Sequence, residues 1–155
     1  MRQGLLAGMT LLLASCGTAQ VAMAPPGQDA AGKQFKPPPP GLAAVYFYNP
    51  MDSGPLINVM QGAMVIGRLA PLTWIRIETS PGWYTMRCVT WSSATPSSIT
   101  LAPGDMRFVE VERPTGAAAC AIQETGPDAG RSGVLSGDRA LQHNSDFAQP
   151  GGSSP

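Results

Sequence analysis

Short apolar runs separated by turn residues fill the chain from position 43 to position 124. In 72–78, for example, Ile75 and Ile77 would share one face of a strand, while Arg76 and Glu78 would share the other. The predicted strands are 43–48, 56–60, 63–66, 72–78, 83–89, 97–101, 105–112 and 117–123. Seven or eight short strands with turns between them predict an all-β fold, a small antiparallel β-sandwich domain over 42–124. No stretch shows a helical period with caps at both ends.

The segments on either side of this pattern differ from it in composition. Residues 16–41 are rich in Ala, Gln, Gly and Pro and end in four consecutive prolines, which predicts a linker that becomes a stiff polyproline rod. Alternatively, the four prolines form a ligand for a proline-binding module. Residues 125–155 lack apolar periodicity and are rich in Gly, Ser, Asp and Gln, which predicts a disordered tail.

The first seventeen residues have the layout of a bacterial signal peptide. Arg2 precedes an apolar run over 5–14, and small residues follow immediately before Cys16. The run of about ten residues is too short to span a bilayer, which takes roughly 20. Cleavage before Cys16 would remove residues 1–15; in the alternative, cleavage occurs elsewhere and Cys16 is incidental.

The residues Leu13-Ala14-Ser15-Cys16 resemble the lipobox of bacterial lipoproteins. The resemblance implies that Cys16 carries fatty acyl chains, such as palmitate, and several chains give stable membrane anchoring. Gly17 stands where an Asp would imply retention at the inner membrane. The resemblance therefore implies an outer-membrane lipoprotein that faces the periplasm.

Composition narrows the class of function. Charged residues make up 13% of the chain and the formal net charge is zero, so no basic patch favours nucleic acid as a partner. His143 is the single histidine and falls in the predicted tail, where nothing would position it for catalysis or for a zinc site. The carboxylates are scattered and are expected to be solvated. The sequence therefore predicts a protein that is not an enzyme and needs no metal or cofactor.

Two cysteines remain after Cys16 is acylated. Cys88 and Cys120 fall on two predicted strands, and in an oxidising periplasm an even pair predicts a disulfide bond. The alternatives are two buried thiols or, without a Cys-x-x-Cys motif, a redox pair.

Several aromatic residues fall on predicted strands and suggest a binding surface. Tyr46 and Tyr48 would share one face of the first strand, and Trp74 and Trp83 lie on later ones. If the other face of each strand is core, these rings are exposed, and exposed aromatics often mark binding sites. The alternative is that both faces are buried.

The order of turns and strands resembles the domain-of-unknown-function 2846 family, small β domains similar to PEGA-type surface domains. The resemblance covers 41–124 and is carried by 60–69, 74–78, 80–84 and the run Leu-Ala-Pro-Gly-Asp-Met-Arg-Phe-Val-Glu-Val over 101–111. It implies a β domain of a bacterial lipoprotein and provides no catalytic residues.

These observations predict a non-catalytic envelope lipoprotein, which would bind an envelope protein or a cell-wall glycan. A subunit of an envelope assembly or secretion apparatus is an alternative, and a small envelope hydrolase that works through carboxylates is another.

Overall fold

The computed structural model describes residues 21–91 and 96–141, which form two helices and nine strands. The helices are α1 (Pro26–Gly32) and α2 (Pro127–Leu135). The strands are β1 (Ala43–Asn49), β2 (Ile57–Gln61), β3 (Met64–Leu69), β4 (Thr73–Thr79), β5 (Gly82–Val89), β6 (Ser97–Leu101), β7 (Met106–Glu112), β8 (Ala121–Thr125) and β9 (Asp138–Arg139). The first eight correspond to the predicted strands, so the prediction of a mostly β domain is confirmed.

The strands form two sheets that lie against each other. One has five strands in the order β8-β7-β1-β4-β9, and the other has four in the order β3-β2-β5-β6. The expectation of purely antiparallel pairing is wrong, because β1 runs parallel to β7 and β9 runs parallel to β4. Parallel neighbours need a crossover connection. The long path from β1 through the second sheet to β7 provides it.

Apolar side chains from both sheets meet in one core. Val45 and Phe47 of the five-stranded sheet belong to the same buried cluster as Val59 and Met86 of the four-stranded sheet. Ile75 and Ile77 lie in this cluster, while Glu78 is exposed, so the alternation in β4 positions the strand as predicted. Burial of this apolar surface is the main stabilising contribution to the sandwich.

A tight turn joins β2 to β3. Gly62 has φ of +57°, a left-handed conformation that glycine adopts without steric cost. The turn residues are Gly62 and Ala63, one position later than the predicted Gln61-Gly62. A register shift between Val59 and Met60 marks a β-bulge in this hairpin.

The predicted linker and tail are folded where the structure describes them. Residues 21–41 contain α1, and residues 126–141 contain α2 and β9, so the prediction of unstructured segments is wrong for these parts of both. Pro38 in the middle of the proline run is buried. The remaining terminal segments, 1–20 and 142–155, lie outside the described residues, as do Cys16 and His143.

The segments 21–41 and 126–141 are hydrogen-bonded to each other at the β9 edge of the five-stranded sheet. Met23 forms an antiparallel bridge with Ala140, and the Ala24 amide donates to the Arg139 carbonyl at 2.8 Å. The Asp29 side chain accepts a 2.8 Å hydrogen bond from the Arg139 amide. The folded unit therefore extends from residue 21 to residue 141, well beyond the predicted 42–124.

A disulfide bond joins the two sheets. Cys88 near the end of β5 is bonded to Cys120, immediately before β8, with their Cα atoms 6.0 Å apart. Both residues are buried in the core between the sheets. The predicted pairing is confirmed, and it connects the layers where β5 faces β8.

Candidate binding surface

Three of the four aromatic residues predicted to form a binding surface are inaccessible. Tyr46, Tyr48 and Trp74 expose 0–2% of their surface, whereas Trp83 exposes 67%. The three lie on the outer face of the five-stranded sheet, which was predicted to be exposed if the opposite face is core. A layer made from the terminal segments covers that face, so the alternative reading, with both faces buried, is correct for β1.

Glycines in the two helices allow this close cover. A Cβ atom on Gly32 of α1 would collide with the Trp74 ring. On α2, a Cβ on Gly130 would collide with Phe108, and one on Gly133 with Tyr48. The backbone of each helix therefore packs directly on an aromatic ring, which no residue with a side chain would permit at this distance.

The buried tyrosine hydroxyls have partners in this layer. Tyr46 donates to the Gly32 carbonyl at 2.9 Å, and Tyr48 donates to the Glu110 carboxylate at 2.9 Å, with Thr125 at 3.1 Å. Burial raises the pKa of Tyr46, although the charges of Arg76 and Arg139 oppose this. Burial also raises the pKa of Tyr48 to about 12, while the Thr125 hydrogen bond opposes it and Glu110 adds to it. These contacts give Tyr46 and Tyr48 a structural role.

The raised pKa of Tyr48 predicts a loss of stability at alkaline pH. Below pH 10 the hydroxyl is protonated in both states; as the pH rises from the ordinary value of 10 towards about 12, the unfolded chain ionises first and folding weakens. Tyr48→Phe is expected to reduce stability by about 1 kcal/mol at pH 8, through the lost hydrogen bond, and to flatten the profile above pH 10. Urea unfolding at pH 8, 10 and 11 tests this, and parallel profiles for the two proteins would contradict it.

The carboxylates expected to be solvated mostly have partners. Glu78 pairs with Arg76 at 2.9 Å, and Asp105 pairs with Arg107 at 3.0 Å. The Ala102 amide and Arg107 lower the pKa of the Asp105 carboxyl, because both interactions favour its charged form. The ion pairs of these two carboxylates therefore stabilise turns and strands of the five-stranded sheet.

A cavity of about 290 Å³ lies where the terminal segments meet, with Met23, Asp29, Asp138 and Arg139 in its lining. Its charges are already engaged: Lys33 lies 2.8 Å from Asp29 and 3.7 Å from Asp138. The Arg139 guanidinium lies 5.4 Å from the centre of the Trp74 ring, and desolvation, followed by the charge of Arg76, lowers its pKa. These interactions stabilise the contact between the two terminal segments.

The four-stranded sheet presents a different surface, which no element of the described residues covers. Alternate residues of its strands point away from the core, and we call the surface they form the outer sheet face. It consists of Asn58, Met60, Val65, Arg68, Trp83, Thr85, Arg87, Val89, Ser98 and Thr100. Trp83, Thr85, Arg87 and Val89 follow one another along β5, so the most exposed ring of this face and an arginine share one row.

Pairing between strands places these side chains in rows across the face. Trp83 lies beside Thr100, Thr85 beside Ser98, and Arg87 beside Met60. The Thr85 and Ser98 hydroxyls are 3.2 Å apart, which confirms that they share the face. Directly paired side chains of this kind are about 5 Å apart. The result is a ring at one end, hydroxyls next to it, and a positive charge further along β5.

The charge on the outer sheet face is positive only. The four strands of this sheet contain Arg68 and Arg87 and no Asp or Glu. Across residues 21–91 and 96–141, neither arginine forms an ion pair, a hydrogen bond or a ring contact. Next to Arg87, Gly62, Thr85 and Pro96 line a shallow pocket of about 140 Å³.

A second tryptophan, Trp91, is as exposed as Trp83 but has a partner. It exposes 67% of its surface, and the Arg113 guanidinium lies 4.3 Å from its ring centre. Arg113 also donates to the Ala117 carbonyl at 2.7 Å. Trp91 therefore belongs to a local contact beyond the end of β5.

Of the residues on this face, Trp83 was predicted to belong to a binding surface, whereas Arg68 and Arg87 were not predicted. The signal was present in β5, where Trp83, Thr85 and Arg87 alternate with the buried Tyr84, Met86 and Cys88. Applying the period of two to each strand of the four-stranded sheet would have found the same face. What it could not reveal is that the other sheet is covered.

The described part of the chain lacks the features of two other kinds of site. Residues 21–91 and 96–141 contain no cluster of three or more His, Cys, Asp or Glu side chains able to hold a metal ion. Among the same residues, no helix has the length and apolar character needed to cross a membrane.

Comparisons of the sequence with protein-family models and curated proteins, and of the fold with solved structures, find no match for this chain.

Proposed function

We propose that this chain is a non-catalytic bacterial envelope lipoprotein, a binding module tethered through acylated Cys16 and facing the periplasm from the outer membrane. The observation that carries the proposal is the apolar run over 5–14 that ends in small residues before Cys16. The Cys88–Cys120 disulfide supports it, because structural disulfides persist in oxidising compartments such as the periplasm.

The folded segment that begins at residue 21 limits the distance between the folded domain and an acyl anchor at Cys16. Residue 21 is already part of the folded unit, and five positions separate it from Cys16. Five extended residues reach about 18 Å at most. An acylated chain would therefore keep the domain close to the membrane surface, in place of the stalk that the proline-rich sequence suggested. The β9 edge, where the two termini meet, would lie nearest the lipid.

The intact mass of the protein extracted with detergent from its native membrane fraction tests the anchor. We expect the mass of residues 16–155 plus a multiply acylated cysteine, because the lipobox directs cleavage and acylation at Cys16. Cys16→Ala is expected to abolish acylation and release the protein from the membrane fraction. An unacylated mass for the unaltered chain would overturn the proposal.

The destination within the envelope has its own test. Gly17→Asp is expected to move the acylated protein from the outer-membrane to the inner-membrane fraction, since an Asp after the acylated cysteine is the retention signal implied by the resemblance to lipoproteins. Gly17→Ser serves as the control and should leave the distribution unchanged. Recovery of the unaltered protein in the inner-membrane fraction would overturn the outer-membrane assignment while leaving the acylation intact.

A further inference from the structure

The outer sheet face combines three kinds of chemistry along β5. Trp83 offers an exposed ring, Thr85 and its neighbour Ser98 offer hydroxyls, and Arg87 offers a cation with no carboxylate on the neighbouring strands β2 and β6. At about 3.3 Å per residue, Trp83 and Arg87 are about 13 Å apart along the strand. A ligand that uses both must therefore be elongated.

We propose that the outer sheet face binds an anionic polysaccharide, which gives the binding module of the proposed function a ligand class. The apolar face of one sugar ring stacks on Trp83, the acidic groups of the polymer pair with Arg87 and Arg68, and its hydroxyls bond to Thr85, Ser98 and Asn58. The inference rests on the proposed function only for the envelope location of that polymer.

Charge complementarity determines that the ligand is an anion. Most of the acidic residues that the structure describes lie on the five-stranded sheet or in the helical layer, and the strands of the four-stranded sheet contain none. Because no described carboxylate forms an ion pair with them, Arg68 and Arg87 produce a positive potential over a low-dielectric sheet, and this potential attracts anions. A neutral sugar would leave both guanidinium groups unused.

The size of the face favours a polymer strand over a folded protein. Four strands about 4.8 Å apart and six residues long cover about 19 by 20 Å, roughly half of the ~800 Å² that each partner contributes to a standard protein interface. Ser, Thr and Val, which occupy half of the face, are also under-represented among the residues that dominate protein interfaces. A polysaccharide strand needs only the row along β5 and its neighbours.

The experiment measures binding of the purified full chain to three probes by titration calorimetry and tryptophan fluorescence. Heparin provides a sulfated polysaccharide, polygalacturonate a carboxylated one, and dextran a neutral one. We expect both anionic probes to bind, with affinity that falls as salt rises, and dextran to bind at least tenfold more weakly.

Matched variants locate the site. Trp83→Ala is expected to weaken binding to polygalacturonate by at least about tenfold, and Arg87→Gln by about fivefold or more. Trp91→Ala removes an equally exposed ring, and Lys36→Gln removes an exposed charge from the helical side of the domain. Both controls should retain affinity within about twofold.

Each other outcome overturns the proposal. If Trp83→Ala and Trp91→Ala lose equal affinity for polygalacturonate, the row of side chains along β5 that contains Trp83 is not the site. If Arg87→Gln and Lys36→Gln lose equal affinity, the binding is non-specific charge attraction. Failure of both anionic probes to bind would exclude the ligand class. Binding to vesicles of anionic phospholipid but to neither polysaccharide would make the face a membrane contact. Because these measurements do not depend on acylation, they fail independently of the intact-mass test of the anchor.

Discussion

Removal of the Cys88–Cys120 disulfide is expected to lower the free energy of unfolding by about 3–4 kcal/mol, by the chain-entropy estimate for a loop of this length. The bond closes a loop across a sequence separation of 32 and joins the two sheets between β5 and β8. A domain of this size is stable by only about 5–15 kcal/mol in total. The double variant Cys88→Ala, Cys120→Ala should therefore unfold at a much lower urea concentration than the unaltered chain.

Reductant supplies the control for this measurement. Adding it during unfolding should shift the midpoint of the unaltered chain and leave that of the double variant unchanged, since only the former has a bond to reduce. If the midpoint of the unaltered chain does not move under reductant, the disulfide does not contribute the expected stability.

Replacing Gly130 with alanine is expected to destabilise the protein by about 2–3 kcal/mol, because a Cβ there would overlap the Cβ and ring of Phe108. Helix propensity predicts the opposite sign, since alanine favours a helix over glycine by about 1 kcal/mol. The part of the Phe108 side chain in the way lies next to its backbone, so rotation of the ring cannot relieve the clash. Thermal and urea unfolding would both show the loss.

Gly27→Ala is the matched control. Gly27 also lies in a short helix, α1, but a Cβ at this position meets nothing within 4 Å. Its substitution is expected to be neutral or to stabilise by up to about 1 kcal/mol. If Gly130→Ala is as mild as Gly27→Ala, then α2 does not pack on Phe108 as described.

The outward faces of the two sheets differ in whether other parts of the chain cover them. The terminal segments cover the aromatic face of the five-stranded sheet, and the Leu141 amide donates to the Ala22 carbonyl at 2.7 Å, close to the proposed anchor. The outer sheet face carries no such cover among the described residues. The proposed anchor at one edge and the outer sheet face on the other sheet are consistent with the proposed role of a module that holds a ligand near a membrane.

The eight principal strands could be predicted because their signals are local. Alternation in β4 and β5 and turn residues such as Gly62 depend on neighbours only a few positions away. The helices could not be predicted, because α2 buries mainly Gly130 and Val134 and so has almost no apolar periodicity. The contacts of α2 depend on glycines that let its backbone approach aromatic rings closely. In the sequence, these glycines instead indicate a turn or a disordered tail.

In the candidate site, too, the sequence indicated the residue types and the fold decided which of them are exposed. Tyr46, Tyr48, Trp74 and Trp83 look alike in sequence as aromatics on strands, and only the fold buries three and exposes the fourth. The two arginines of the outer sheet face are 19 positions apart in the chain. Pairing of both β3 and β5 with β2 brings them onto one surface.

The sequence by itself determined the approximate positions of eight strands and their turns, favoured a disulfide between two cysteines, and contains the lipobox-like start. Each depends on short-range pattern or on there being one plausible partner. Only the tertiary structure decided the parallel pairings, the folding of the terminal segments over the aromatic face and the identity of the open face. These depend on contacts between residues far apart in the chain, such as Asp29 with Arg139, which no local pattern encodes.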